Sequence, residues 1–188
     1  TLVASCRAGN VIGGGDWALD RLFPDAVRAL SKKKKITVRN PDYNRPWQHV
    51  LEPLSGYLVL GRKLFEEKAA LSNEISNYTD SFNFGPDMES NKTVKEVIEK
   101  IIMHWKGSWT RDSDINAFHE AEKLNLNINK AKTLLKWHPK WDFDYTIKKT
   151  VNWYYEDYEN KVSPFKLCLQ DIIEYSDLDI KKFHYLGI

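Results

Sequence analysis

The chain of 188 residues has few cysteines and no long apolar run. Cys6 and Cys168 are its only cysteines, and their wide separation matches neither a metal site nor a disulfide framework. Two isolated thiols are typical of a reducing compartment, so we expect a cytoplasmic protein. No apolar stretch approaches the roughly 20 residues that span a bilayer, and no signal peptide is visible. These absences argue against a membrane protein and against a small domain held together by disulfides.

Several catalytic and metal-binding motifs are also absent from the sequence. No group of His, Cys, Asp and Glu has the spacing of zinc ligands, so we expect no metal. The Gly-x-Ser-x-Gly elbow of a serine hydrolase does not occur. No Gly-x-Gly-x-x-Gly turn follows a predicted strand and opens a helix, so no segment predicts a cradle for the pyrophosphate of a dinucleotide.

The charge of the chain is nearly balanced. Its 28 Lys and Arg residues and 26 Asp and Glu residues leave a formal net charge of +2, so no global field favours nucleic acid or a membrane surface as the partner. The run from Lys32 to Lys35 is interpreted as a solvated connection between a helix and a strand. Seven Trp and nine Tyr residues indicate packed pockets rather than disorder.

The amino-terminal segment predicts a ligand site in an α/β fold. Residues 2–6 form a short apolar run ended by turn residues, which predicts a buried parallel strand. Residues 13–15 are three consecutive glycines, which let a backbone adopt positive φ and approach a ligand closely. Open α/β sheets bind their ligands at the carboxyl ends of strands, and this glycine loop follows such an end.

The rest of the chain predicts alternating helices and short strands. Strands are expected at 36–38, 47–50 and 81–84, and helices at 20–30, from Pro53, after a capping box at Thr93, at 129–136, from an Asp144 cap and from Pro164. Two helix faces are expected to be buried. One carries Leu54, Tyr57, Leu58, Gly61, Leu64 and Phe65, and the other carries Phe165, Cys168, Leu169 and Ile172. His49 is interpreted as a hydrogen-bonded core residue rather than a proton carrier.

Several stretches of the sequence carry a family resemblance. They are residues 7–17, 20–25, 39–41, 45–57, 82–86, 119–121, 130–131, 137–141 and 150–154. In this order they closely resemble the CDP-glucose 4,6-dehydratases. These are extended short-chain dehydrogenases/reductases that act on nucleotide sugars. The strings Gly-Gly-Gly-Asp-Trp and Arg-Pro-Trp-Gln-His-Val are the most specific of the matching segments. One position departs from the family pattern, because Asn127 stands where family members usually carry Asp, which puts any charge pairing there in doubt.

The resemblance implies both a fold and an activity. Residues 1–188 would be the carboxyl-terminal, substrate-binding portion of such an enzyme: residual strands of a Rossmann-type NAD(P)-binding fold and a small mixed α/β lobe. The NAD-binding half and the catalytic Tyr-x-x-x-Lys are expected upstream of Thr1. The intact enzyme, expected to be a homo-oligomer in deoxysugar and lipopolysaccharide biosynthesis, would convert CDP-D-glucose into CDP-4-keto-6-deoxy-D-glucose. It would use NAD for C4 oxidation, water elimination and C6 reduction, whereas this chain alone would bind no NAD and be inactive.

The resemblance also implies a set of substrate-binding residues, which are Asn10, Arg21, Leu22, Arg39, Arg45, Asn83, His119 and Glu120. Guanidinium groups match the geometry of phosphates, so the three arginines are expected to hold the diphosphate and ribose in one cleft. The amide of Asn10 would donate to a phosphate oxygen, and Asn83 would lie at the edge of the cleft. His119 and Glu120 either contact the nucleoside or belong to a polar surface loop.

Some alternatives stay open at this point. Tyr145 and Lys149 match the Tyr-x-x-x-Lys spacing, but we interpret this match as chance and predict no catalytic residue in the chain. A related nucleotide-sugar epimerase or decarboxylase would share the architecture and differ in its chemistry. The remaining hypothesis is a non-catalytic module that binds nucleotide diphosphates or a partner through Lys32–Lys35.

Overall fold

The computed structural model describes residues 1–69, 77–112 and 124–177, and in these ranges it is a mixed α/β fold, as predicted. Its strands are β1 (Ser5–Ala8), β2 (Asn10–Ile12), β3 (Ile36–Val38), β4 (Asn44–His49), β5 (Ser81–Phe84), β6 (Asn91–Thr93) and β7 (Trp109–Arg111). Its α-helices are α1 (Leu22–Ser31), α2 (Leu51–Ala69), α3 (Val94–His104), α4 (Phe143–Tyr158) and α5 (Pro164–Ser176). None of the helices in these ranges is long and apolar enough to cross a membrane.

Parallel pairing dominates the sheets. β1 pairs with β5, β2 with β4 and β3 with β7, each in parallel, and only the β4–β6 pair is antiparallel. The first strand begins later than predicted, and Ser5, Cys6 and Arg7 in it are exposed. The predicted burial of this strand is therefore wrong, because β5 is its only strand neighbour within the described ranges.

Strand β4 has a different neighbour along each half. Asn44 and Pro46 lie opposite Thr93 and Asn91 of β6, whereas Trp47 lies opposite Asn10 of β2. The strand begins at Asn44, three residues before the predicted start, and Pro46 is tolerated in it because, within the described residues, its strand partner lies on one side only. Five of the six residues of β4 are buried, so the strand runs through the interior.

Two hydrophobic cores hold these elements together. The larger core lies between α1, β3, α3 and α4, and among its most deeply buried residues are Val27, Ile36, Val97, Ile98, Ile147 and Tyr154. The predicted capping box orients α3, because the Thr93 hydroxyl accepts from the Glu96 amide at 3.1 Å and the Glu96 carboxylate accepts from the Thr93 amide at 2.7 Å. The second core joins α2 and β5 to the segment after residue 124, and it contains Leu60, Phe82, Phe84, Ile128, Ala131, Leu135 and Trp137.

The predicted buried face of α2 is only partly correct, because Tyr57 and Leu64 pack against the second core whereas Leu54, Leu58 and Phe65 are exposed. Leu58 and Phe65 are 76% and 73% exposed, and the buried residues of the helix are Glu52, Pro53, Gly56 and Leu60. A Cβ at Gly56 would lie 2.2 Å from the Phe84 ring, so the missing side chain lets the helix approach β5. Apolar residues occur on two sides of this helix, and periodicity alone does not tell which side meets the sheet.

The carboxyl-terminal predictions also need correction. Phe165 and Cys168 of α5 are exposed, and the helix instead buries Leu167 and Asp171. The buried carboxylate of Asp171 is compensated by Lys149 of α4, because Asp171 Oδ1 lies 2.6 Å from Lys149 Nζ. The α4 cap is Asp142, two residues before the predicted one, and its Oδ1 accepts from the Tyr145 amide at 2.8 Å. The helical segment expected at 129–136 is present, and most of it, Ala131–Leu135, is a π-helix.

A buried carboxylate fastens α2 to the segment before α4. Glu52 is fully buried, and its oxygens accept from the amides of Lys140 at 3.0 Å and Trp141 at 2.7 Å and from the Tyr175 hydroxyl at 2.7 Å. Burial raises the pKa of Glu52, although these hydrogen bonds oppose the shift. The carboxylate thus joins α2, the turn at 140–141 and the end of α5.

Replacing Glu52 by Gln is expected to lower the free energy of unfolding by about 1–3 kcal/mol, because an amide NH₂ would face groups that need an acceptor. The raised pKa makes the stabilisation by Glu52 fullest at low pH and weaker as the pH rises through that pKa. The deficit of Glu52→Gln should therefore be larger at pH 5 than at pH 8 in denaturant titrations. Glu66→Gln, on the exposed side of the same helix, is the control, and a deficit equal to the control would contradict this account.

Candidate functional site

A cleft of about 610 Å³ lies where β2, β4 and the start of α1 meet. Strand β2, the loop before α1, the first turn of α1 and residues on and near β4 form its walls. The lining residues are 9–13, 16, 18, 20–24, 40, 43, 45, 47 and 94. The size is within the range of small-molecule sites. The glycine loop lies beside this cleft, as its position after a strand predicted.

Arg45 supplies a buried positive charge to the cleft. Its side chain lies on β4 and is only 9% exposed, with Nη1 donating to the Asn44 carbonyl at 2.8 Å. The guanidinium carbon lies 5.4 Å from the centre of the Tyr43 ring, a cation–π geometry. A guanidinium held this way keeps its charge and a fixed orientation, which suits binding of a phosphate or carboxylate.

The start of α1 adds a second positive element. Arg21 is the N-cap residue of α1, and Leu22 is the first residue of the helix; both line the cleft. Within the described residues no side chain caps the first turn of this helix, and because Pro24 has no N–H, the amides of Leu22 and Phe23 together with the helix dipole favour an anion there. Asn10, on β2, lines the same cleft and is opposite Trp47 in the sheet register.

The other predicted site residues are placed differently. Arg39 does not line the cleft, and its Nη2 lies 3.1 Å from Oδ1 of Asp20, a lining residue in the left-handed conformation. Asn83 is not a lining residue either, and its amide donates to the carbonyl of residue 127 at 3.1 Å. His119 and Glu120 lie outside the described residues.

The sequence analysis did not identify several residues of the site. Asp16, Asp20 and Tyr43 line the cleft, and the only feature that could have indicated them is their position within or beside the matching segments. The indole of Trp153 lies under the glycine loop, where a Cβ at Gly14 would be 2.0 Å from a ring carbon. Trp153 follows Gly14 by well over a hundred positions, and no spacing rule connects such distant residues.

The Tyr145–Lys149 match has a structural explanation. Lys149 Nζ lies 2.6 Å from Asp171 and 2.9 Å from Glu174, and the Tyr145 hydroxyl also hydrogen-bonds to Glu174. Both residues therefore join α4 to α5, and neither lines the cleft. This arrangement agrees with the interpretation of the match as chance.

His49 is a core residue, as expected. It is buried, its Nδ1 accepts from the Leu51 amide at 3.3 Å, and its ring packs 4.7 Å from that of Trp141. Burial, together with the positive charge of Lys149, lowers its pKa to about 3, which keeps the imidazole neutral at physiological pH.

The described residues do not fit a dinucleotide cofactor or a metal. The glycines at 13–15 do not open a helix, because α1 begins only at Leu22, so they do not form the pyrophosphate cradle of a Rossmann turn. In the described ranges, no group of three or more His, Cys, Asp or Glu residues could hold a metal ion. The site therefore contains features for binding an anionic ligand.

Comparison with known proteins agrees with the resemblance in the sequence. No family model matches the chain. The chain is 45% identical to the CDP-glucose 4,6-dehydratase of Salmonella typhimurium strain LT2 over 154 residues, which are 81% of this chain and 41% of that enzyme. The chain thus spans about two fifths of the length of the curated relative that it matches.

Solved structures share the fold at lower identity. A dTDP-glucose 4,6-dehydratase from Bacillus anthracis in complex with NAD is 22% identical, with a TM-score of 0.63 over 84% of this chain and 46% of that one. A UDP-glucuronic acid 4-epimerase from Bacillus cereus in complex with UDP-glucuronic acid and NAD is 15% identical, with a TM-score of 0.65 over 82% and 46%. The sequence thus resembles a CDP-glucose 4,6-dehydratase over 81% of the chain, and its mixed α/β fold matches a little under half of each of these two solved nucleotide-sugar enzymes.

Proposed function

We propose that the chain is the substrate-binding portion of a CDP-glucose 4,6-dehydratase and that its cleft binds the nucleotide sugar. The observation that carries the proposal is the meeting of Arg45, Arg21 and the uncapped start of α1 around one cavity. These groups lie in two segments that resemble the family. The similarity to the Salmonella typhimurium enzyme supports the same substrate class.

In this proposal the positive groups hold the diphosphate. The buried guanidinium of Arg45 binds one phosphate with two parallel hydrogen bonds, and Arg21 and the first amides of α1 bind the other. Asn10 donates its amide to a phosphate oxygen. Together these groups fix the nucleotide and leave the hexose to extend from the diphosphate.

The carboxylates of the cleft have a complementary role. Asp20 forms an ion pair with Arg39, which reduces the repulsion between its charge and a bound diphosphate. Asp16 and Asp20 can accept hydrogen bonds from the hydroxyl groups of the ribose or the hexose. Arg39 thus contributes through Asp20, and direct contacts of Asn83, His119 and Glu120 with the substrate stay predictions.

The intact enzyme, in the same proposal, would contain an NAD-binding half that supplies the catalytic residues. It would convert CDP-D-glucose into CDP-4-keto-6-deoxy-D-glucose, as a cytoplasmic homo-oligomer. NAD supplies the hydride chemistry when it is bound, and the role of the described residues is to bind and orient the sugar nucleotide. An NAD-bound dehydratase among the structural neighbours supports this cofactor.

The alternative functions have less support. Five epimerase structures that share the fold are 15–18% identical to the chain, against 45% for the Salmonella typhimurium dehydratase. Lys32–Lys35, the anchor of the non-catalytic alternative, form an exposed connection between α1 and β3 and do not line the cleft.

Arg45→Ala is expected to weaken binding of CDP-glucose by about 1.5–3 kcal/mol, the size of a hydrogen bond to a charged group. Calorimetric titration of the 188-residue chain measures this change. Arg62→Ala, on the exposed side of α2, is the matched control and should bind like the parent. Equal affinities of the Arg45→Ala and Arg62→Ala variants would remove Arg45 from the site.

The chain alone is expected to bind CDP-glucose and to leave NAD unbound, because its glycine loop does not form a pyrophosphate cradle. Parallel titrations with CDP-glucose and NAD test this difference, and chromatography of a long incubation with both compounds tests for turnover. A 4-keto-6-deoxy product formed by the chain alone would refute the assignment of the catalytic groups to another part of the enzyme. A flat titration with CDP-glucose would refute the proposed function.

A further inference from the structure

The loop over residues 13–18 forms one wall of the cleft. Gly13, Asp16 and Ala18 line the cleft, and Trp17 between them is 44% exposed. The backbone of this loop has positive φ at Gly15. A glycine-rich segment of this kind has many accessible conformations, and ordering it only when a ligand arrives would cost binding free energy.

Tyr154 of α4 holds the loop from inside the protein. Its ring is fully buried in the larger core, and its hydroxyl accepts from the Asp16 amide at 3.1 Å and donates to the Asp16 carbonyl at 2.7 Å. Burial raises the pKa of Tyr154, so the hydroxyl remains a donor at any physiological pH. The preceding residue, Trp153, supports Gly14, and Trp17 packs edge-on against the Tyr154 ring at 5.3 Å.

Arg28 of α1 holds the next residues of the same loop. Its Nη1 donates to the Trp17 carbonyl at 3.2 Å, and its Nη2 donates to the Ala18 carbonyl at 2.9 Å. An ion pair with Asp25, at 2.5 Å, orients the guanidinium. The loop is therefore fastened by side chains from two helices, and neither Tyr154 nor Arg28 lines the cleft.

We propose that Tyr154 and Arg28 are positioning residues, which hold the loop over residues 13–18 in its binding conformation before the nucleotide sugar arrives. This inference rests on the proposed function of the cleft. The hydrogen bonds of the two side chains to the loop all go to backbone atoms of Asp16, Trp17 and Ala18, so they set the path of the loop from outside the cleft. Their contribution is to reduce the entropy lost when the ligand binds.

Tyr154→Phe tests the inference, because it keeps the buried ring and removes only the hydroxyl. We expect CDP-glucose to bind this variant of the 188-residue chain about 5–20 times more weakly, because the variant lacks the two hydrogen bonds that order the loop. Tyr145→Phe is the matched control on the same helix, since that hydroxyl binds Glu174 and not the loop, and its affinity should stay within about twofold of the parent. Titrations are made well below the melting temperature of each variant.

Hydrogen exchange gives a second readout that a general loss of stability would not reproduce. The amides of residues 16–18 should exchange faster in Tyr154→Phe than in the parent, while those of α3 and α4 are unchanged. Arg28→Lys keeps a positive charge and loses the forked contact with two carbonyls, so it should also weaken binding and speed exchange in the loop. This second variant keeps the inference testable if Tyr154→Phe does not fold.

The outcomes separate the two proposals. A parent that binds CDP-glucose, with Tyr154→Phe and Arg28→Lys of unchanged affinity, would overturn the positioning role alone. Weaker binding together with uniformly faster exchange would overturn it too, because the effect would then be one of overall stability. A parent that does not bind CDP-glucose would overturn the proposed function and this inference with it.

Discussion

The cleft depends on the way strand β4 divides its hydrogen bonds between two neighbours. Its first half pairs with β6 and its second half with β2, so Arg45 and Trp47 lie near Asn10 although they are far from it in sequence. Five of its six residues are buried, and this burial holds the strand in one position beneath the cleft. The positive group that dominates the cleft, Arg45, is part of this strand.

Electrostatics in the cleft follow from this placement. A guanidinium as buried as that of Arg45 is costly unless it is compensated, and its contacts include the Asn44 carbonyl and the Tyr43 ring. The free amides at the start of α1 add positive potential, and the Arg39–Asp20 pair limits the negative charge at the rim. These features support the proposed binding of a nucleoside diphosphate sugar in the cleft.

Buried polar groups connect this site to the rest of the fold. Glu52 fastens α2 to the turn at 140–141, which precedes α4. Helix α4 in turn presents Trp153 and Tyr154 to the glycine loop. Helix α4 thus acts on the cleft through the hydrogen bonds of Tyr154 to the Asp16 backbone, and a change in the packing of this helix would alter the path of the loop.

The sequence by itself determined the α/β class, the β3 strand, the capping box of α3, the glycine loop and the family resemblance. These depend on local patterns: short apolar runs, a Thr-x-x-Glu spacing, consecutive glycines and matching strings. Only the tertiary structure decided which face of α2 is buried, that Asp171 forms an ion pair with Lys149, and which of the three proposed arginines line the cleft. Such outcomes depend on contacts between residues far apart in the chain, such as Gly56 with Phe84, Asp171 with Lys149 and Tyr154 with Asp16. Local periodicity carries no information about such contacts, because an apolar or charged side chain gives the same sequence pattern whether or not a distant residue packs against that side chain.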